Sequence, residues 1–351
     1  MEQQKDPNIL DDVAAMTRAD PGGMLGYVAE FSDQIAEGWR ISRDLELPWG
    51  APRSVAILGM GGSAIGGDLV KGIWSDRIRV PVEVIRGYDL PAWVGTDTLV
   101  IASSKSGNTE ETLSALETAL ARRCPVVVVS TGGALKSVAQ AADLPLATFP
   151  DRGSPRSSVG WSMAIVAGIL QKAGVSAGRA MAARCEPGVA TADNPAKQLA
   201  WSLIDRFAIV TGSGFLAPVA RRWKAQFNEN SKATAAFEEL PEATHNTVVG
   251  FEQPESLRDH LFVVFLRSEL EHPRNALRAT LIGDLVETGQ ISHAFVEASG
   301  EGKLGQALSA IVMGDYVSVY VALTYAVDPS PIDVITHIKE QLALADQTDT
   351  E

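Results

Sequence analysis

The sequence predicts an α/β protein of two doubly wound domains, each a mainly parallel sheet flanked by helices. Three observations carry that prediction. Short apolar runs alternate with stretches of helical periodicity from residue 54 onward, the pattern of successive strand–helix units. Turns rich in glycine or hydroxyls stand where apolar runs give way to helices. A weak internal repeat relates residues 57–64 to 209–216 and residues 98–120 to 261–281.

Taken in order, residues 8–45 read as helices, with Met24, Val28 and Phe31 at helical spacing and Ile35, Trp39 and Leu45 following. Residues 47–52, with two prolines and a glycine, end that pattern. Strands are expected at 54–58, 80–85, 98–102 and 126–130, with helices between them. Residues 145–156 read as a Pro/Gly/Arg loop, 161–173 as a long helix and 177–194 as a small, polar linker. The pattern then returns: a strand at 207–210, a turn at 211–214, a helix through Val219, Trp223 and Phe227, and a strand at 261–266. Apolar helix follows at 311–326 and a closing helix at 329–342. The division expected is an N-terminal helical segment over 1–50, a first domain over 51–176 and a second over 195–351.

A chain of 351 residues, 46% hydrophobic and 21% charged, can bury two sizeable cores. Its net charge of −13 and the lack of any basic run argue against nucleic acid as a partner. Two cysteines, Cys124 and Cys185, have no metal-site spacing and suit a reducing, cytoplasmic setting. No apolar stretch reads as membrane-spanning, and the N-terminus is polar.

The most informative stretch is Ser104-Lys105-Ser106-Gly107-Asn108-Thr109, between the strand at 98–102 and a helix carrying Leu113, Leu116 and Leu120. Free N–H groups and the positive end of the helix dipole favour an anion there, and hydroxyls donate to phosphate oxygens. One such hydroxyl would fit a simple helix cap; three in six residues exceed what capping requires. Gly59-Met60-Gly61-Gly62-Ser63-Ala64 also fits the dinucleotide pattern G-x-G-x-x-A, and Glu83 lies nineteen positions beyond Ala64, near where a ribose-binding acid would stand. Yet Glu83 falls inside a strand, and the loop at 104–109 competes for the same crevice. The preferred reading gives Gly61 and Gly62 close backbone approach and Ser63 a fourth hydroxyl. In the second copy, residues 267–273 carry acids where the first carries hydroxyls, so only the first copy is expected to hold phosphate.

Four further residues invite a chemical reading, each beside a plain one. Glu229, flanked by Asn228 and Asn230, is either a catalytic acid or a solvated charge. His245, in a turn-rich loop with Asn246, is a structural histidine or a proton carrier. Arg156 is a loop cation or an anion stabiliser, and Lys339 complements a helix dipole or serves a site.

Gly59–Ser63, Ser104–Thr112 and the run Glu239-Leu240-Pro241-Glu242-Ala243-Thr244-His245-Asn246 together resemble bifunctional phosphoglucose/phosphomannose isomerases, a branch of the sugar isomerase (SIS) superfamily. The resemblance covers the chain from about residue 50. The phosphate loop is common to the superfamily, while Glu229 and His245, sixteen positions apart, are similar to the family's base and ring-opening histidine. The resemblance implies two SIS domains per chain, a homodimer with shared active sites, and no metal or cofactor. It implies that Gly62, Ser63, Ser104, Ser106 and Thr109 hold a sugar 6-phosphate and that Glu229 shuttles a proton between C2 and C1. His245 from the partner subunit would open the ring, Arg156 would stabilise the enediolate, and Lys339 would assist at the ring oxygen. The chain departs in having Lys105 where the family has Tyr, which either adds to phosphate binding or alters packing. The family's Thr or Gln linked to mannose acceptance has Ser330 as its nearest counterpart. The activity implied is interconversion of glucose 6-phosphate, and mannose 6-phosphate, with fructose 6-phosphate. The alternatives are a non-catalytic sugar-phosphate regulator and an SIS isomerase of another sugar phosphate.

Overall fold

The computed structural model describes residues 5–48, 50–170 and 183–348. Two sheets organise them, and every strand pairing is parallel. The first comprises β1 (Ser54–Leu58), β2 (Val82–Ile85), β3 (Thr98–Ser103), β4 (Val126–Ser130) and β5 (Leu146–Thr148), in spatial order β2-β1-β3-β4-β5. The second comprises β6 (Phe207–Ser213), β7 (Ala235–Leu240), β8 (Leu261–Arg267) and β9 (Ser292–Glu297), in order β7-β6-β8-β9. Both orders reverse beside the first strand, between β1 and β3 and between β6 and β8, which opens a crevice at the strands' C-terminal ends.

The helices are α1 (Val13–Ala19), α2 (Met24–Ala29), α3 (Phe31–Arg43), α4 (Gly61–Ile73), α5 (Glu110–Ala121), α6 (Gly133–Ala141) and α7 (Val159–Leu170) in the first half. In the second they are α8 (Pro195–Ser202), α9 (Ala217–Glu229), α10 (Pro273–Thr288), α11 (Gly302–Thr324) and α12 (Asp333–Thr348). Because side chains alternate along a strand, each sheet feeds two cores. Val55 and Ile57 of β1, with Val210 of β6 and Val264 of β8, join the large central cluster that also takes in α4, α7, α9 and α11. Ala56 and Leu58 face the outer cluster with α5 and α6, and Val263 and Phe265 face the one with α10. The N-terminal helices belong to the central cluster through Leu10, Met16, Val28 and Ile35, and α3 packs along α7.

Several elements differ from the expectation. β5, β7 and β9 carry weak strand signals. β5 has three residues, and β7 and β9 are sheet edges whose Glu238, Glu239 and His293 break the apolar pattern. β2 begins at Val82 rather than at 80, since Pro81 has no N–H to donate. The closing helix starts at Asp333, past Pro329 and Pro331, and runs to Thr348. Residues 171–182, the end of the expected helix and the start of the expected linker, lie outside the described residues. The largest correction concerns the apolar helix, which extends from Gly302 to Thr324 and so passes, by length and composition, as a possible membrane span. Its apolar window is wholly buried inside the protein, where it forms the spine of the central core.

Candidate active site

The crevice of the first sheet is walled by the turns after β1 and β3. Leu58 pairs with Ala102, so the two turns leave the sheet side by side. Ser104 Oγ lies 2.7 Å from Thr109 Oγ1 and 3.4 Å from Ser106 Oγ, which draws the three hydroxyls into one group. Ser104 and Ser106 also accept the N–H groups of Gly107 and Asn108, both at 3.2 Å. Thr109 occupies the N-cap position of α5, yet its side chain makes no capping hydrogen bond. Capping therefore does not account for its hydroxyl. Gly107, at φ +69°, lets the loop fold back so tightly that a Cβ would meet the Gly132 carbonyl oxygen at 1.8 Å. Across the crevice, α4 begins without a side-chain cap and carries the buried Ser63 in its first turn. A neutral cluster of hydroxyls at two uncapped helix starts suits a phosphate group.

Glu229 is the last residue of α9, and its side chain is 25% exposed, open to a small molecule. Its carboxylate Oε2 stands 3.4 Å from Arg156 Nη1. Arg156 is 2% exposed, and burial pulls its pKa below the ordinary guanidinium range while Glu229 opposes that shift. Such a buried cation must be satisfied on every side. Its Nε donates to Asn230 Oδ1 at 2.6 Å and its Nη2 to the carbonyls of Pro329 (2.7 Å) and Ser330 (3.0 Å). Lys232 donates to the carbonyls of Glu229 (2.7 Å) and Pro329 (3.0 Å), and burial and then Arg156 lower its pKa. The geometry fixes Arg156 as a planar cation against the carboxylate.

The hydroxyl-lined wall and the Arg156–Glu229 pair are one piece of structure. A Cβ on Gly62 would lie 2.5 Å from the Pro155 carbonyl oxygen and 3.4 Å from Arg156 Cα, so only glycine lets the start of α4 touch the arginine's turn. From behind, Arg222 donates to the Arg156 carbonyl (3.1 Å) and to Asp315 Oδ2 on α11 (2.7 Å). Gln226 donates to Asp315 Oδ1 at 3.0 Å, and Asn230 to Ser318 Oγ at 2.9 Å. Trp223 of α9 donates to the Ala310 carbonyl at 2.8 Å and sits so close to Gly314 that a Cβ there would meet its ring nitrogen at 2.1 Å. Asn230 was legible only as a neighbour of Glu229, and Arg222, Asp315 and Ser318 were not legible as site residues. Their only sequence signal is polarity at helix positions otherwise filled by core residues.

The other candidates lie elsewhere. His245 is exposed on the turn after β7, and Lys339 is exposed on α12, where every side chain from Asp333 to Ala345 faces outward. Among the described residues neither makes a hydrogen bond or ion pair with Glu229. Lys105 is 9% exposed, but its ammonium binds Asp151 Oδ1 (2.6 Å) and the Gly153 carbonyl (2.8 Å). Those two bonds tie the hydroxyl loop to the segment leading to Arg156. Ser330 offers its carbonyl to Arg156, and its hydroxyl lies against Gly22. Glu83 is mid-strand and pairs with Lys71 at 3.1 Å, not at the strand end that a ribose-binding acid requires. Among the described residues no group of three His, Cys, Asp or Glu is placed to hold a metal ion.

Two parallel sheets with a hydroxyl loop at one crevice and a carboxylate–guanidinium pair beside it define a sugar-isomerase-domain protein of the phosphosugar isomerase class. Residues 192–342 match the model of the bacterial phospho-glucose isomerase C-terminal SIS domain. A bifunctional phosphoglucose/phosphomannose isomerase of Caldicellulosiruptor bescii is 36% identical over 335 residues, 91% of this chain and 99% of that one. One from Aquifex aeolicus is 32% identical, over 83% of this chain and 90% of that one. The crystal structure of a hypothetical protein from Thermus thermophilus shares the fold at a TM-score of 0.72 and 16% identity, covering 96% of this chain and 95% of that one. The chain belongs to the bifunctional phosphoglucose/phosphomannose isomerase family.

Proposed function

We propose that the chain interconverts glucose 6-phosphate and mannose 6-phosphate with fructose 6-phosphate by proton transfer through an enediolate. The observation that carries this is the Arg156–Glu229 pair, 3.4 Å apart and built onto the same wall as the start of α4. Ser63, Ser104, Ser106 and Thr109 hold the phosphate, with Gly62 giving close approach. That grip, remote from the reacting carbons, holds C1 and C2 in place. Glu229 removes the proton alpha to the carbonyl and returns it to the neighbouring carbon. Arg156, already desolvated, meets the negative charge that grows on the enediolate oxygen without having to reorganise.

His245 and Lys339 then complete the site from a second copy, His245 opening the ring and Lys339 assisting at the ring oxygen. Support for this arrangement comes from α12, whose exposed Val334, Ile335, Ile338 and Leu342 form an apolar stripe with no cover in the single chain. Lys339 lies on the same helix. The homodimer so formed works in the cytoplasm, in keeping with its two free, buried cysteines.

The test is a coupled assay with fructose 6-phosphate, reading both aldose products. Glu229→Gln is expected to bind substrate normally and to lose about 10²–10⁴-fold in turnover. Near-normal turnover would remove Glu229 from the role of base, and binding without turnover in the wild type would make the chain a sugar-phosphate binder. Mixing Glu229→Gln with His245→Ala chains should restore activity if the histidine acts across subunits, and leave none if it acts within its own.

A further inference from the structure

We propose that Glu271 is a built-in occupant of the second lobe's crevice, its carboxylate standing where the first lobe receives a phosphate, so that each chain takes one sugar phosphate. The inference rests on reading the first lobe's hydroxyl loop as a phosphate site. The second sheet repeats the first: β6 and β8 stand at its reversal point as β1 and β3 do, and each runs through a turn into a helix. Glu271 lies at the end of the turn after β8, one residue before His272, the N-cap of the 16-residue helix α10, as Asn108 lies one residue before Thr109, the N-cap of α5.

In the first lobe this turn holds neutral hydroxyls, with Thr109 at the N-cap itself and bonded to Ser104 at 2.7 Å. In the second it holds an anion with both oxygens engaged. Ser213 Oγ, at the end of β6, donates to Oε2 at 2.9 Å, and Arg267 Nε donates to Oε1 at 2.7 Å. The Glu271 side chain is only 3% exposed, and the Arg267 guanidinium is held over the Phe295 ring at 5.4 Å. A serine at one strand end and an arginine at the next are donors a phosphate would use, and the carboxylate engages both. The first N–H of α10, on Arg274, is taken by His272 Nδ1 at 3.1 Å. Glu269, which accepts from Gln306 at 3.1 Å, adds a second negative charge beside the turn. A phosphate dianion would have to expel one carboxylate and approach another.

The experiment counts inorganic phosphate bound per chain by calorimetry. Wild type is expected to bind one. Glu271→Ala, and Glu271→Ser, which restores a hydroxyl, are expected to bind two while keeping wild-type activity. In a Ser104→Ala, Ser106→Ala, Thr109→Ala background the counts should fall to none for wild type at 271 and one for the Glu271 variants. If the triple change leaves the counts untouched, the reading of the first lobe fails. If a folded Glu271 variant still binds one, or wild type already binds two, the proposal about Glu271 fails. Should both variants unfold in phosphate-free buffer, refolding in excess phosphate is scored in the Ser104→Ala, Ser106→Ala, Thr109→Ala background, where the first lobe binds none. Rescue greater than that given by a sulfate-free salt of equal ionic strength would support it, since a ligand that fills the emptied crevice stabilises the native state. Failure to refold there would overturn it.

Discussion

Gly62→Ala tests the link between phosphate grip and chemistry with a single methyl group. The added Cβ would stand 2.5 Å from the Pro155 carbonyl oxygen and 3.0 Å from its carbon. Both neighbours are backbone, so no rotamer change relieves the clash. The contact must open by about 0.9 Å or more to reach ordinary van der Waals separation. That motion carries α4, with Ser63, away from the turn that carries Arg156. A misplacement near 1 Å between anchored phosphate and reacting centre costs on the order of 10²-fold in rate. Overpacking of this kind costs roughly 1–3 kcal/mol in stability. The assay is kcat/KM with fructose 6-phosphate, paired with a urea melt. Gly26→Ala is the control, since a Cβ there meets nothing within 4 Å and should leave activity unchanged. A Gly62→Ala protein within about twofold of wild type in kcat/KM would refute the reasoning, because the two halves of the site would then be independent.

Asp315→Ala leaves Arg222 charged and buried behind Arg156, so urea melts should show a loss of about 3–5 kcal/mol, much of it recovered in Arg222→Met with Asp315→Leu. Lys105→Met should lower kcat through loosened placement of the Arg156 segment, with competitive inhibition by inorganic phosphate changed less than about twofold; a tenfold-weaker phosphate would make Lys105 a ligand instead. Cys185, pushed up to about 11 by burial, should resist thiol reagents at pH 8 until the protein unfolds, as measured by labelling against urea. Because its folded pKa is raised above the thiol's ordinary value of 9.0, its contribution to stability is intact below pH 9. That contribution falls between pH 9 and 11 by roughly 3 kcal/mol at most, as the unfolded thiol alone ionises. An alkaline melt at fixed urea, compared with Cys185→Ala, reads that loss.

The sequence by itself determined the class of fold, because strand–helix alternation and its apolar periodicity are local properties. It also marked out the hydroxyl-rich loop at 104–109, since three hydroxyls and a glycine at one strand-to-helix turn form a contiguous signal. Glu229 could be singled out by its amide neighbours, but nothing local separated it from a solvated charge. Edge strands such as β7 and β9 were illegible because one face is half solvated and carries acids and a histidine. Only tertiary structure decided which distant residues serve Glu229. Arg156 lies 73 positions away and meets it because Gly62 admits Pro155 and because Asp315, from the core helix, anchors Arg222 behind the arginine's carbonyl. Likewise, acids in the turn after β8 could be read from the chain. That one of them folds back onto Ser213, 58 residues earlier, is a property of two strands lying side by side. Local order is written in neighbouring residues; a site is written in which surfaces can approach, and that depends on the whole packed core.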